Sequence, residues 1–459
     1  MKTDNPTHPG FVIAGTHSSV GKTSITLGFL RAIKRRQIAL NPFKAGPDYI
    51  DPAHHSLAAG VPSYNLDSWM CSRNYLAKLF QDVMQGKSLA VVEGVMGLFD
   101  GAHATRETGT TAEVARLLDL PVLLVIDGSQ MARSAAALVK GFAEFDPRLR
   151  FLGVIANRVG SPGHARLIEQ ALKHHTGIPL LGHLPVNASL NIPERHLGLH
   201  QSVEQSDRLY EGWADHIEQH VNLDRILRQA GWRKKEIVSP GTPPPPSRWP
   251  RFKSAGFQVG IARDPAFQFC YQDTLDLIRH LGGNVHFFSP VNDPKLPPQL
   301  DWVYFPGGYP ELYAEELSQN KSMLRSIKRF ARTGGVLAEC GGLMYAGKKI
   351  RTSAGKSLSM TGLFDFSTSI KKPGLILGYR KLAAASQSRI NPKRYFTGHE
   401  FHYSKFEHNN ETPRFKMSVQ GRTIADGFIR DRCLAFYSHI YWGASCRGFQ
   451  EILHTLLLK

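Results

Sequence analysis

Four apolar residues, Phe11-Val12-Ile13-Ala14, run into Gly15-Thr16-His17-Ser18-Ser19-Val20-Gly21-Lys22-Thr23 and then into a helical pattern through Arg31. A strand that turns through glycines straight into a helix gathers backbone N–H groups and the helix N-terminus at one spot, which is a site for phosphate. The Gly-Lys-Thr ending adds Lys22 for the outer phosphates and the Thr23 hydroxyl for Mg²⁺. Gly15, Thr16, Val20, Gly21, Lys22 and Thr23 are therefore the candidate residues for a nucleoside triphosphate. The usual motif is one residue shorter between its glycines, which places this loop in a particular branch of phosphate-loop proteins.

Apolar runs at 89–92, 122–126, 151–156 and 179–184 alternate with helix-like segments. Strands that are apolar on both faces and alternate with helices predict a parallel sheet covered by helices. Two further motifs fall at the ligand-side ends of such strands. In Pro42-Phe43-Lys44-Ala45-Gly46-Pro47-Asp48-Tyr49-Ile50-Asp51-Pro52, two carboxylates stand three residues apart beside a lysine and a Gly-Pro turn, as in a metal-and-substrate loop. Glu93 ends the strand-like run 89–92 at the place where Mg²⁺ needs a carboxylate, and Asp100 is the second choice. Asn157, after the run 151–156, is a candidate for base contact. His54 and His55 lack a third ligand at suitable spacing and are expected to be packed or solvated.

The run Ser239-Pro240-Gly241-Thr242-Pro243-Pro244-Pro245-Pro246-Ser247 favours an extended spacer. It divides the chain into an expected nucleotide-binding domain at 1–237, a linker at 238–251 and a second α/β domain at 252–459. An amphipathic stretch at 207–235 leads into the linker and is expected to pack on the first domain. After the linker the strand pattern resumes at 258–262, 284–288, 302–305 and 335–338.

There, Gly335-Val336-Leu337-Ala338-Glu339-Cys340-Gly341-Gly342-Leu343 has the form of a nucleophile elbow with cysteine as nucleophile. Pro306-Gly307-Gly308-Tyr309 ends an earlier strand in a glycine pair whose N–H groups suit an oxyanion, with Gly308 the candidate donor. His439, in Phe436-Tyr437-Ser438-His439-Ile440-Tyr441-Trp442, is the candidate base for Cys340. His399, Glu400 and His402 are competing bases that spacing does not exclude.

Composition narrows the partners. Lys and Arg number 56 against 38 Asp and Glu, a formal net charge of +18, which suits an anionic partner and says nothing of fold. Nucleic acid, an anionic membrane surface and a polyanionic small substrate all satisfy it. The five cysteines have no Cys-x-x-Cys spacing, so neither a disulfide framework nor a zinc site is expected. No apolar stretch reaches membrane-spanning length and Met1–Gly10 has no signal-peptide form, so a cytoplasmic protein is expected.

Taken together, these motifs carry a resemblance. The first loop is similar to that of dethiobiotin synthetase-like amidoligases, and the Cys-Gly-Gly elbow with Pro-Gly-Gly resembles a class I glutamine amidotransferase domain. The order of the two halves, with 42–52, 93–101 and Gly398-His399-Glu400-Phe401-His402-Tyr403-Ser404, resembles the cobyrinate a,c-diamide synthase family over nearly the whole chain. The resemblance implies two tandem α/β domains, an N-terminal P-loop parallel sheet and a C-terminal class I glutamine amidotransferase-like sheet. It implies ATP with Mg²⁺, L-glutamine as nitrogen donor and a polycarboxylate corrinoid or related tetrapyrrole as acceptor. It implies no nucleic acid and no membrane, and leaves a homodimer open. It gives Cys340 and His439 the release of ammonia, with Gly308 at the oxyanion. Lys22 and Thr23 then hold triphosphate, Thr23, Asp48 and Glu93 the metal, and Asp51 a part in activating the acceptor carboxylate. Hydrogenobyrinate and nickel-sirohydrochlorin enzymes are near neighbours. The sequence departs from the family pattern at Tyr441, where a second histidine is usual, and at Ser19, where glycine is frequent. Two rivals are a cysteine hydrolase fused to an ATPase and a DNA-partitioning ATPase; the latter uses a second lysine where His17 stands.

Overall fold

The computed structural model describes residues 8–84, 88–190, 194–195, 198–199, 207–233, 246–252, 256–371, 374–385, 388, 390–419 and 422–458. Contacts divide the chain into two units, Met1–Arg248 and Trp249–Lys459. Of the expected linker, 238–245 lies outside the described residues. Its end is packed, since Arg248 pairs with Asp82 at 3.0 Å and Trp249 is buried. Among the described residues, no helix is long and apolar enough to cross a membrane.

In the first unit, described residues form a seven-stranded sheet in the order Tyr64–Leu66, Leu40–Ala45, Leu89–Glu93, Gly10–Gly15, Val122–Asp127, Phe151–Asn157, Leu180–Leu184. Every neighbouring pair is parallel. Residues 11–14 and 89–92 are fully buried, because helices cover both faces. Strand order reverses beside Gly10–Gly15, so the loop after it opens onto the crevice where such sheets bind ligands. Helix Lys22–Arg35 is held from outside by Asp207–His220. A Cβ at Gly28 would lie 2.5 Å from Ile217 Cγ1 and 2.7 Å from the Trp213 carbonyl, so only glycine permits this approach. Arg31 pairs with Asp207 at 2.6 Å and Glu211 at 2.8 Å. Within its described part, the amphipathic stretch thus packs on the first unit.

In the second unit, described residues form a ten-stranded sheet. It begins Gly283–Phe288, Phe257–Ala262, Trp302–Phe305, Gly335–Glu339, Cys433–Phe436, all parallel. It continues antiparallel through Arg422–Arg430, Pro413–Val419, Ile376–Ala384, Tyr395–His402 and His439–Ile440. Phe436 and His439 are three residues apart in the chain, yet they belong to strands on opposite sides of the four strands between them. Those four strands must therefore curl back, and the curl carries His399 and His439 over the end of the parallel half. A further four-stranded sheet, Ser357–Ser359, Lys349–Arg351, Phe366–Ser369 and Lys405–Asn409, lies beside it in the same unit.

Candidate functional sites

In the first unit the loop 15–23 closes around its own backbone. A Cβ at Gly15 would lie 2.5 Å from Val20 Cγ1 and 3.1 Å from Lys22 Cδ, and Thr16 N donates to the Val125 carbonyl at 3.1 Å. Gly21 has φ 100° and Ser19 φ 63°, both in the left-handed region. Glycine enters that region without the Cβ clash that serine carries there. Ser19→Gly is expected to raise stability by about 0.5–1 kcal/mol, read as a gain of about 1–4 °C in Tm of the first unit; an unchanged or lower Tm would deny the strain.

The end of strand Phe151–Asn157, two places along the sheet, braces the loop. Asn157 Nδ2 donates to the Val20 carbonyl at 2.9 Å, and Arg158 donates to the Ser19 carbonyl at 2.7 Å and to Asp127 at 2.6 Å. Asn157 also occupies the space a Cβ at Gly21 would need, 2.3 Å from its Nδ2. The amide expected at the base is thus engaged with the loop backbone.

Glu93, fully buried, is the hub of the site. Thr23 Oγ1 donates to Glu93 Oε1 at 2.7 Å, Lys44 Nζ donates to the same oxygen at 2.8 Å, and His55 Nε2 lies 2.6 Å from Oε2. Lys44 also pairs with Asp51 at 2.6 Å. Asp48 accepts from the N–H groups of Ile50 and Asp51, both at 3.1 Å, at the start of helix Ile50–Ala59. The electrostatics follow from burial and sign. Burial alone would lower the Lys44 pKa, but the carboxylates of Asp51, Glu93 and Asp48 outweigh it and raise it. Burial would raise Glu93, but Lys44 and His55 outweigh it and hold the carboxylate well below its usual range. Asp48 is pushed up to about 7 by burial and by Asp51. Lys22 comes down to about 8 through burial and repulsion from Lys44.

The structure therefore brings Thr23, Lys44, Asp51, His55 and Glu93 together, with Asp48 beside Asp51. Asp100 accepts from Gly97 N at 3.0 Å within its own turn, and its charge also acts on Lys22. His54 and His55 are packed, as expected; His54 lies 2.9 Å from Tyr210 Oη. Sequence reading gave no role to Lys44 or His55 at the hub. The available signal was spacing: His55 stands four residues after Asp51 on one helix face.

In the second unit, Cys340 sits on the turn between strand Gly335–Glu339 and helix Gly341–Ala346 with φ 47° and ψ −104°, a strained conformation for a residue with a side chain. The Cys340 N–H donates to the Phe436 carbonyl at 2.8 Å, and small neighbours make room for the bend. A Cβ at Gly342 would lie 2.0 Å from the Phe305 carbonyl, and one at Gly341 2.8 Å from Pro310 Cδ and 3.0 Å from Gly308 N. On the other side of the glycine pair, a Cβ at Gly307 would lie 2.2 Å from His439 Cε1. The elbow, the candidate oxyanion donor and the candidate base thus converge on Gly307–Gly308.

The competing bases are otherwise engaged. Glu400 pairs with Arg380 at 2.6 Å. His402 stacks on Tyr437 with centroids 4.2 Å apart and lies 2.9 Å from the Ser404 carbonyl. His399 is the cross-strand neighbour of His439, stacks on it at 5.0 Å and contacts Tyr271 Oη at 3.2 Å. Tyr441, where the resemblance leads one to expect histidine, is buried against Tyr271, with ring centroids 4.7 Å apart. Burial and the neighbouring His399 and His402 push His439 far below the usual histidine value, so the resting ring is neutral. Burial and Glu311 push the Cys340 thiol up, so the resting sulfur keeps its proton. Glu339 accepts from Tyr304 Oη and Trp442 Nε1, both at 2.7 Å, and from the backbone at Ile440. It ties the residue before the thiol to the segment carrying His439.

Two family models match. The CobQ/CobB/MinD/ParA nucleotide binding domain covers residues 11–199, and the CobB/CobQ-like glutamine amidotransferase domain covers 258–446. A nucleotide-binding parallel sheet on one chain with an amidotransferase elbow defines a glutamine-dependent amidating ligase. Curated relatives narrow this further. Cobyrinate a,c-diamide synthase of Listeria monocytogenes is 40% identical over 445 residues, covering 94% of this chain and 96% of the relative. Those of Syntrophotalea carbinolica and Picrophilus torridus are 39% and 38% identical, each covering 95% of this chain and 96% of the relative. The chain belongs to the cobyrinate a,c-diamide synthase family.

Proposed function

We propose that this chain amidates the a and c side-chain carboxylates of cobyrinate, taking nitrogen from L-glutamine and activating each carboxylate with ATP. The observation that carries the donor half is the convergence of Cys340, Gly308 and His439 on one glycine pair. The acceptor is taken from the relatives' name, and a chain of +18 suits a polycarboxylate.

His439 takes the thiol proton as Cys340 Sγ attacks the glutamine carboxamide carbon. Backbone N–H at Gly308 receives the oxyanion, and the proton passes to the departing ammonia. Water then cleaves the thioester to glutamate and regenerates the thiol. In the first unit, a carboxylate oxygen of the acceptor attacks the γ-phosphorus of ATP, releasing ADP and leaving an acyl phosphate. Ammonia adds to its carbonyl carbon and phosphate leaves, giving the amide. Lys22 neutralises charge on the transferring phosphoryl group, and Asp51 acts by holding Lys44 beside the acceptor.

The residues present fit Mg²⁺. Thr23 Oγ1 and Glu93 Oε1 are hard oxygen donors 2.7 Å apart and would hold the ion together. Asp48 is the third candidate ligand, and a bound ion would supply charge neutralisation across the triphosphate.

Supplying ATP, Mg²⁺, glutamine and a panel of tetrapyrrole acids tests substrate and count together. Cobyrinate is expected to lose about one mass unit per conversion, twice over, since OH is exchanged for NH₂. Conversion of hydrogenobyrinate or nickel-sirohydrochlorin alone would reassign the acceptor; an unchanged mass for every acid would overturn the activity.

Lys22 supplies a separate check. Its pKa near 8 leaves much of it neutral above pH 8, and a bound polyphosphate favours the ammonium. Nucleotide binding at mildly alkaline pH is therefore expected to take up a proton. Calorimetry in buffers of different ionisation enthalpy measures this, and proton release would contradict it.

A further inference from the structure

We propose that the Glu311 carboxylate anchors the α-ammonium group of the donor glutamine; this rests on the amide-donor role given to the second unit above. Glu311 directly follows Pro310, which lies against the elbow at 2.8 Å from where a Gly341 Cβ would stand, and the same loop brings Gly308 N to 3.0 Å. The loop that offers the oxyanion donor therefore delivers a carboxylate to the rim of the same site.

Three carboxyl groups act on the Cys340 thiol, and Glu311 acts most strongly, ahead of Glu400 and Glu339. The other two are satisfied: Glu400 by Arg380, Glu339 by Tyr304 and Trp442. Among the described residues, Glu311 has no cation partner and only its own backbone N–H beside it. It retains partial exposure, yet burial pushes its carboxyl up to about 7. A carboxyl on this loop with no cation beside it suits an incoming ammonium group, which would hold it in its ionised form. Glutamine has the required shape, because its α-nitrogen stands about 5 Å from the carboxamide carbon in the extended form. An amide placed on Cys340 thus needs an anion a short way off.

The test compares ammonia release from glutamine with release from 4-carbamoylbutanoate, the same amide without the α-amino group. The ratio of the two kcat/KM values cancels any change in folded fraction. For the unmodified chain it is expected to favour glutamine by about 10–100-fold, the range of a charge-assisted hydrogen bond. In Glu311→Gln the preference is expected to collapse to within a few-fold, mainly through KM for glutamine, and in Glu311→Asp to be partly retained. A Glu311→Gln variant that keeps the full preference, or loses both compounds equally, would overturn the assignment. If the unmodified chain releases ammonia from neither compound while ammonium salts support amidation, the donor role itself fails, which is a separate result.

Discussion

Replacing Cys340 with alanine is expected to lower glutamine-supported amidation by at least about 1,000-fold while ammonium salts still support it. The sulfur is the sole atom removed from the elbow. The backbone bend is set by Cys340 N bonding to the Phe436 carbonyl and by the glycines at 341 and 342, and none of these depends on the side chain. The first unit has its own core around strands 10–15, 89–93 and 122–127, so its chemistry does not need the thiol. Rates with each nitrogen donor, measured on the same preparation, check this. Loss of both activities, or survival of glutamine use, would contradict the division of labour.

Glu93→Gln is expected to act in the opposite pattern, reducing amidation with either nitrogen donor by at least about 100-fold, because in the proposed reaction phosphoryl transfer precedes the use of ammonia. It is also expected to cost about 3–5 kcal/mol of stability, the usual consequence of removing one partner of a buried ion pair. Glu93 is fully buried and receives Thr23, Lys44 and His55, and its neutral amide leaves Lys44 with less compensation. The pH dependence has a definite sign. The folded carboxylate is held below its usual range, so its contribution is full above the unfolded carboxylate pKa and is lost as pH falls through the folded value. The stability gap between the two chains should therefore be constant near neutrality and narrow only in acid. Denaturation midpoints across that range measure it. A gap that widens in acid would be incompatible with the ion cluster.

What could be read from sequence was whatever lies at the end of a strand. The parallel strands were visible because burial on both faces makes them continuous apolar runs, and the phosphate loop, Glu93 and Cys340 each follow such a run within a residue or two. Strand Leu40–Ala45 was only partly legible, since Asn41, Pro42 and Lys44 interrupt its apolar character. The antiparallel strands from Ile376 to Arg430 were not recognised, because one face is solvated and their burial alternates irregularly. Without them nothing in the sequence brings His399 beside His439 or separates His439 from its competitors. The Glu93 hub was hidden for a similar reason: Lys44 and His55 lie 49 and 38 residues from Glu93 and meet it only through the order of the sheet. Ser19 and Tyr441 stood out as departures, but what they do depends on a backbone angle and a ring neighbour that spacing does not encode.

The coupling of the two chemistries is tested most directly by one turnover experiment, with heavy nitrogen in the amide of glutamine and heavy oxygen in the acceptor carboxylates. Every new amide is expected to carry the heavy nitrogen, and one heavy oxygen is expected in the inorganic phosphate released with it. Phosphate free of label, or amide nitrogen drawn from elsewhere, would contradict a thiol-generated amine consumed by a nucleotide-activated carboxylate.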